Sequence, residues 1–204
     1  MNNQKWYLMR HGETDFNKKR YFYGSSDVSI NSKGKEQAKN LAKLMAHQEL
    51  DALYTSQLKR SQQTAHLAFP GQLTYKLSDF NERDFGQWEG LDANAIDAKF
   101  PREWQDWIES PFEVTPPQAE DFKSFQERVW KRTDQLLKSD KGRIAIVAHL
   151  GVLRLIYQYI MGQTTDFWSI DIPQGSVLVL ECQDGEWTKY DLEMRTDDDC
   201  ENSE

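Results

Sequence analysis

The sequence has no apolar run of the length that a membrane helix needs, and it has only two cysteines and four histidines. A bilayer span takes roughly 18 or more consecutive apolar residues, so a membrane-spanning protein is excluded. Residues 1–5 contain no apolar stretch of signal-peptide length. Cys182 and Cys200 have neither metal-site nor redox-motif spacing. We therefore expect a cytoplasmic protein with reduced cysteines.

Clustered positive charge is also missing. The chain has a net charge of −8, and its 25 basic residues form no dense run. Nucleic acids and anionic membranes are therefore not expected as partners. An anionic substrate would have to be held by a few local basic side chains against the overall negative field.

What is present fits one folded domain. Hydrophobic residues make up 38% of the chain and aromatic residues 12%, which is enough to build a core and to line a pocket. We predict a single domain over residues 1–195. Residues 196–204 are acidic and poor in apolar side chains, so we predict a disordered tail there.

Short apolar runs alternate with stretches of helical periodicity. Strands are predicted over residues 6–9, 52–55, 144–148, 176–181 and 187–192, the last two joined by a hairpin turn at Asp184-Gly185. Helices are predicted over residues 33–47, after residue 58, between 92 and 108 with a break at Pro101, and over 122–137 and 151–161. This alternation predicts a three-layer α/β fold with a mostly parallel sheet and helices on both faces.

Two of the four histidines share one setting. His11 and His149 each follow a predicted buried strand directly, and each has a glycine within two residues. In open α/β sheets the active-site crevice lies beyond the carboxyl ends of the strands. If the two strands are neighbours, both imidazoles converge on one site. Either histidine alone could equally be structural.

Four sequence blocks resemble the signature of the histidine phosphatase superfamily, which includes cofactor-dependent phosphoglycerate mutases. They occur in the family's order between residues 6 and 160. The first is Arg10-His11-Gly12-Glu13-Thr14 with Asn17. The others are residues 55–65, 81–90 and 148–154. One Arg-His-Gly triplet would be weak support, but four ordered blocks are specific. The resemblance implies a phosphoglycerate mutase-like fold.

The resemblance also implies a role for each matched residue. His11 is implied as the nucleophile that forms a phosphohistidine, and Glu82 as the general acid and then the general base. The implied phosphate ligands are Arg10, Asn17, Arg60 and His149, and by analogy Tyr23 and Gly24 border the phosphate loop. The resemblance implies no metal ion and no cofactor.

Elementary chemistry agrees with these roles. A phosphoryl group in transfer spreads negative charge over its equatorial oxygens, so catalysis consists mainly of positioning and charge stabilisation. Guanidinium groups bind phosphate oxygens bidentately and stay charged at any working pH. An unprotonated imidazole is a competent nucleophile. The helix that starts near Gly151 could add its N-terminal amides to the anion site.

The segment after Glu82 favours hydrolysis over the mutase reaction. Mutases must hold a doubly anionic substrate, and their insertion after this glutamate supplies extra basic residues. Here residues 92–121 contain two basic and eight acidic residues, a net charge of −6, which would repel a second phosphate. Arg83 is followed by Asp84 and Phe85, as in the phosphatase branch.

The same segment contains Phe100, Trp104, Trp107 and Phe112, most of which we expect to pack in the core or a lid. If some of them face the cleft, the pocket suits a monophosphate whose leaving group is flat and apolar or cationic. This fits α-ribazole 5′-phosphate, and the chain's length and C-terminal half resemble the α-ribazole phosphatase branch. Arg154 is expected to be a structural ion-pair partner.

Two departures from the family pattern are relevant to substrate contacts. The family often has Gly-Glu-Ser before the long helix, where this chain has Ala119-Glu120-Asp121, and Asp121 could replace the serine as N-cap. Leu150 stands where the family usually has glycine after the second histidine. Its side chain could crowd the phosphate or face away.

Three other functions remain open at this point. The chain could be a cofactor-dependent mutase, or a domain that binds phosphoesters or a protein without turnover. A binder would have no need of a nucleophile together with Glu82. A two-histidine zinc hydrolase has thin support, because no pair of histidines or cysteines has short metal-site spacing.

Overall fold

A computed structural model describes residues 3–162 and 164–194. Six strands form one sheet in the order β3-β2-β4-β1-β5-β6. Strands β1 to β4 are mutually parallel, whereas β5 runs antiparallel to β1 and β6 antiparallel to β5. The strand bounds are β1 Gln4–Arg10, β2 Ala52–Thr55, β3 Thr74–Lys76, β4 Arg143–Ala148, β5 Leu178–Gln183 and β6 Glu186–Asp191.

Helices cover both faces of this sheet. Helices α2 and α3 contribute to the hydrophobic cluster on one face, and α6 and α7 to the cluster on the other. The predicted three-layer α/β fold with a mostly parallel sheet is therefore confirmed. Within the described residues the seven α-helices are α1 Asp15–Lys18, α2 Ser32–Met45, α3 Lys59–Ala68, α4 Ala93–Lys99, α5 Pro101–Glu109, α6 Phe122–Leu137 and α7 Leu150–Met161.

The two central strands are apolar because they are buried on both faces. Successive side chains of a strand point to opposite faces. Trp6 and Leu8 of β1 accordingly belong to the cluster with α6 and α7, and Tyr7 and Met9 to the cluster with α2 and α3. All four are at most 1% exposed. This burial fixes the register of β1, because a shift by one residue would exchange the two faces.

Most predicted elements are present, and two short elements are additional. Strand β3 and the four-residue helix α1 were not predicted, because each is too short to show a periodic pattern. Helices α4 and α5 meet at Pro101, as predicted. The hairpin turn is confirmed, with Asp184 at φ 53° and Gly185 at φ 89° as a two-residue hairpin requires.

Two predictions from the sequence are not tested by the structure. The predicted disorder of residues 196–204 lies outside the described residues, and the single-domain assignment stays a prediction. No helix in residues 3–162 and 164–194 combines the length and the apolar character needed to cross a bilayer.

Candidate active site

The pairing of β1 with β4 brings the two histidines together. Arg10 pairs with Ala148 at the carboxyl ends of these parallel strands, and the His11 N–H donates to the Ala148 carbonyl at 2.9 Å. His11 and His149 follow immediately, with ring centroids 5.1 Å apart. Both side chains are buried. The expected convergence at one sheet edge therefore follows from the register.

His11 is held in the form that a nucleophile requires. Its Nδ1 lies 2.8 Å from the Gly12 carbonyl oxygen, which can only accept, so Nδ1 carries the proton. Nε2 then presents a lone pair and has no hydrogen-bond partner among the described residues. Burial, followed by the nearby Arg60 and Arg10 guanidiniums, lowers the pKa of His11 well below its ordinary value. The imidazole is therefore neutral near pH 7.

His149 has protein partners for both ring nitrogens. Nδ1 accepts from Arg60 Nε at 3.2 Å, and Nε2 then donates to Ser56 Oγ at 2.8 Å. Burial and the positive charge of Arg60 lower its pKa well below the ordinary value. Its implied contact with phosphate stays a prediction. Ser56, at the end of β2, was not singled out from the sequence, because a lone serine after a strand carries no specific signal.

Arg60 is fixed by the loop that contains Tyr23 and Gly24. Its guanidinium donates to the carbonyls of Gly24 at 2.7 Å and Ser26 at 2.8 Å, and it lies 4.6 Å from the centroid of the Tyr23 ring. Arg60 is 1% exposed, and burial lowers its pKa. The structure therefore places Tyr23 and Gly24 as supports of Arg60, and their contact with phosphate stays a prediction.

That loop is held by Glu89, a second residue that sequence reasoning did not single out. One carboxylate oxygen accepts from the backbone N–H groups of Gly24, Ser25 and Phe85, and the other accepts from the N–H and hydroxyl of Ser26. Glu89 lies within the third family block, in the stretch Gly86-Gln87-Trp88-Glu89-Gly90. Its place in that block is the one feature of the sequence that could have marked it as functional.

Arg10 and Asn17 retain free donors. Arg10 Nε is buried without a hydrogen-bond partner among the described residues. Asn17 uses Oδ1 as an acceptor, from the Thr14 N–H at 3.1 Å and from Gln174 Nε2 at 3.0 Å, which leaves its NH2 group unbonded in the described part of the chain. Free guanidinium and amide donors suit an anion. Gln174, far along the chain, was not predicted.

Glu82 is positioned at the start of α7. Its Oε2 accepts from the Gly151 N–H at 3.1 Å and its Oε1 from the Arg83 N–H at 3.0 Å. A Cβ on residue 151 would lie 2.5 Å from Glu82 Oε1, so only glycine permits this approach. The Gly151 amide, which the sequence assigned to the phosphate site, thus binds the carboxylate of Glu82.

A cavity of about 170 Å³ opens next to Glu82. Its polar lining includes Arg83 and Arg154, and Leu150 also faces it. Trp107 and Phe112 of the segment after Glu82 therefore face the cleft, whereas Trp104 packs against Trp88. Eight aromatic side chains line the cavity, namely Tyr23, Phe85, Trp107, Phe112, Phe122, Phe125, Phe167 and Trp168.

The structure decides the expectations for Arg154 and Asp121. Arg154 makes no ion pair within the described residues, so that expectation was wrong. Its Nε instead donates to the Ile170 carbonyl at 2.7 Å, and its guanidinium lies 5.2 Å from the Phe167 centroid. Backbone carbonyls and aromatic rings thus take the place of an acidic partner. Asp121 does cap α6, accepting from the Ser124 N–H at 2.8 Å.

No group of three or more histidine, cysteine, aspartate or glutamate side chains in residues 3–162 and 164–194 is arranged to hold a metal ion.

The known proteins that this chain resembles are phosphatases and phosphoglycerate mutases. The chain is 29% identical to phosphoserine phosphatase 1 of Hydrogenobacter thermophilus (88% of this chain, 87% of the relative). It is 28% identical to the adenosylcobalamin/alpha-ribazole phosphatase of Salmonella typhimurium (88% and 91%). The alpha-ribazole phosphatase of Shigella flexneri superposes with a TM-score of 0.86 at 27% identity (93% and 96%). Phosphoglycerate mutases also occur among the relatives.

The family profile described as the histidine phosphatase superfamily (branch 1) matches residues 6–194, which is nearly the whole described chain. The match includes all the residues around the two histidines. Together with the phosphoglycerate mutase-like fold, this match shows that the chain belongs to the histidine phosphatase superfamily.

Proposed function

We propose that the protein hydrolyses a small-molecule phosphomonoester through a phosphohistidine on His11, without a metal ion. The observation that carries this proposal is the state of His11. Its Nδ1–H is bound to the Gly12 carbonyl, its Nε2 is unprotonated, and the Arg60 and Arg10 guanidiniums lie close enough to lower its pKa.

The reaction has two balanced steps. His11 Nε2 attacks phosphorus while the bond to the leaving oxygen breaks, and the protonated Glu82 donates its proton to that oxygen. Water then attacks the phosphohistidine, Glu82 takes a proton from the water, and the P–N bond breaks. Inorganic phosphate leaves, and His11 and Glu82 return to their starting states.

The positive groups would stabilise the transferring phosphoryl. The Arg10 side chain is half-buried and makes no hydrogen bond within the described residues, and Asn17 has a free NH2 group, so both can donate to phosphate oxygens. Arg60 is fixed before substrate arrives, which avoids reorganisation during the reaction. His149 is held beside His11 by Arg60 and Ser56.

Hydrolysis is favoured over the mutase reaction by the charge and composition of the segment after Glu82. Residues 92–121 carry a net charge of −6, and the part of that segment that faces the cavity contributes Trp107, Pro111 and Phe112. The segment therefore adds no basic group to the cavity lining that could hold a second phosphate. A mutase remains the alternative, since mutases are among the relatives.

The proposed substrate is α-ribazole 5′-phosphate. A cavity lined by eight aromatic side chains next to the proposed acid suits a flat, largely apolar leaving group. Relatives named as alpha-ribazole phosphatases, in sequence and in structure, support this choice. The phosphoserine phosphatase relative is of similar identity, but the small polar leaving group of phosphoserine would leave the aromatic wall unused.

The mechanism is tested with p-nitrophenyl phosphate in excess chelator. We expect turnover, a labelled protein intermediate after rapid quenching, and loss of both in His11→Asn. Glu82→Gln should lower kcat by roughly 10²–10⁴-fold. Absence of turnover would support a non-catalytic binding domain, and loss of activity in chelator would support a metal hydrolase. Either result would contradict the proposal.

The substrate is tested by comparing kcat/KM for α-ribazole 5′-phosphate, phosphoserine and 3-phosphoglycerate. We expect a clear preference for the ribazole. Conversion of 3-phosphoglycerate to 2-phosphoglycerate faster than phosphate release would instead show a mutase. Equal rates on all three esters would reject the substrate assignment and leave the phosphatase chemistry standing.

A further inference from the structure

The cavity beside Glu82 adjoins a second and larger cleft. The cavity measures about 170 Å³, and the second space, here called the outer cleft, measures about 520 Å³. Phe112, Phe122 and Phe167 line both spaces, so these three rings form a partition between them. The remaining described lining of the outer cleft is polar and consists of Lys123, Gln126, Gln158, Thr164, Thr165 and Asp166.

The three rings of the partition are in mutual contact. The Phe112 centroid lies 4.6 Å from that of Phe122 and 5.5 Å from that of Phe167, and the Phe122 and Phe167 centroids are 5.5 Å apart. These separations are those of aromatic pairs in direct contact. The partition is therefore closed wherever the three rings meet.

Phe112 is the one ring of the partition that lies outside the core. Phe167 is 7% exposed, and Phe122 begins α6 and packs edge-on against the buried Phe125. Phe112, in the turn between α5 and α6, is 41% exposed. Its ring can be removed with less damage to the core than either of the other two.

Phe112 is nevertheless held in place. The N–H groups of Glu113 and Val114 donate to the Ser110 carbonyl at 3.1 and 2.9 Å, which fixes the turn. The Phe112 ring also stacks on Trp168, with centroids 5.6 Å apart and an interplanar angle of 17°. Aromatic pairs stabilise each other beyond the apolar area that they bury. A ligand that pushed the ring aside would lose these contacts.

The cavity inside the partition is small. Sites that enclose a whole drug-sized ligand measure roughly 300–1,000 Å³, and this cavity is well below that range. It has room for a ring system of the leaving group and little beyond it. A longer leaving group must displace Phe112 or stay partly outside.

We propose that Phe112 sets the upper size limit of the leaving group, because its ring closes the cavity on the side of the outer cleft. The inference rests on the proposed phosphatase function and adds to it the residue that determines size. Removal of the ring joins the two spaces. The far end of a longer leaving group then lies among the polar side chains of the outer cleft.

Two riboside 5′-phosphates that differ by one fused ring test the size limit in the unaltered enzyme. One carries benzimidazole, and the other carries naphtho[2,3-d]imidazole, the same ring system lengthened by a fused benzene ring. Both esters have the same 5′-oxygen as the leaving atom, so only the size of the leaving group differs. We expect kcat/KM to be about 10-fold or more lower for the longer ring. Equal values would overturn the proposal.

A set of variants assigns the limit to one side chain. Phe112→Ala should raise the ratio of kcat/KM for the longer ester to that for the shorter ester by about 10-fold, and Phe112→Leu, which refills part of the space, by less. Ile108→Ala is the matched control, since Ile108 is a 50% exposed apolar residue of α5 that lines neither space. It should keep the wild-type ratio. Because the ratio is taken within one protein, a general loss of activity does not affect it.

An unchanged ratio in folded Phe112→Ala would overturn the role of Phe112. If the alanine variant does not fold, Phe112→Leu is decided by the same criterion, with a smaller expected increase.

Binding without turnover separates this inference from the proposed function. The two dephosphorylated ribosides are titrated calorimetrically into the unaltered protein and into Phe112→Ala. Tighter binding of the benzimidazole riboside in the unaltered protein, with loss of that preference in Phe112→Ala, supports the size limit even if hydrolysis is never detected. The same preference in both proteins, equal binding in the unaltered protein, or no binding of either riboside rejects the size limit even if the enzyme is an active phosphatase.

Discussion

Glu82 and Gly151 are matched to each other, because the carboxylate occupies the space that a side chain on residue 151 would fill. In Gly151→Ala the new methyl group meets the end of a flexible side chain, so the carboxylate moves while the fold remains. We expect kcat to fall by about 10²-fold, the typical cost of misplacing a catalytic group by an ångström, with little change in Tm.

A double-mutant cycle provides the control. If the methyl group acts only through the carboxylate, Gly151→Ala should add no further loss in a Glu82→Gln background. Equal losses in both backgrounds, measured as kcat on p-nitrophenyl phosphate, would show that the methyl group acts elsewhere.

Glu89 is a positioning residue that acts on phosphate binding through Arg60. Glu89→Gln places an NH2 group against N–H donors of the loop, so the carbonyls of Gly24 and Ser26 should shift and release Arg60. We expect kcat/KM to fall roughly 10²-fold. The ¹⁵N resonance of His149 Nδ1 should also move, as that atom loses the donor Arg60 Nε.

Glu113→Gln is the matched control, since Glu113 is exposed in the segment after Glu82. A folded Glu89→Gln enzyme with reduced activity but an unchanged His149 resonance would show that Glu89 is merely structural.

At the residue scale, the sequence predicts functional residues that directly follow strands and misses residues that act through contacts between distant parts of the chain. His11 and His149 could be found because each follows an apolar run. Ser56, Glu89 and Gln174 orient their partners across long sequence separations, which no local pattern reports. Arg154 was misassigned because its partners are carbonyls and rings rather than acids.

At the scale of elements, α6 is the helix whose start departs from the family pattern. Asp121 accepts from both the backbone N–H and the hydroxyl of Ser124, and these bonds lower the pKa of its carboxyl. Asp121→Ala should lower Tm because the cap is lost, whereas Asp121→Ser should restore much of it, since serine also caps. Thermal unfolding at pH 7 measures the order. A serine variant no more stable than the alanine variant would contradict the cap as the cause.

Elements were predictable in proportion to their length and burial. Helix α6 and strand β4 show clear patterns because one face or both faces are apolar. Strand β3 has only three residues, none of them buried, and lies at the sheet edge. Helix α1 is a single turn fixed by a capping box between Thr14 and Asn17. The sequence pattern of neither β3 nor α1 can be distinguished from that of the turns around it.

For the whole molecule, the buried histidines link stability to pH. Burial and nearby guanidiniums lower the pKa values of His11 and His149 well below the unfolded value of about 6.5. The unfolded chain therefore binds more protons below about pH 6.5, and unfolding is favoured there. The free energy of unfolding should be fully retained above this pH and should fall as the pH decreases from 6.5 to 5.

Urea unfolding at pH 7.5, 6 and 5 measures this dependence. His11→Asn should show a smaller decrease than the wild type, because one neutral buried imidazole is gone. His66→Asn, which removes an exposed histidine of α3, is the control for the loss of a histidine as such. A decrease as large in His11→Asn as in the wild type would show that His11 is not a source of the linkage.

The adjacency of β1 and β4 makes catalytic competence a late product of folding. Residues 11–142 separate these strands in the chain, so their pairing requires the closure of a very long loop. In compact intermediates that contain only local helices, the His11 and His149 imidazoles would still lie apart. Recovery of turnover during refolding should therefore report the completed native topology, and should lag behind the recovery of helical circular dichroism.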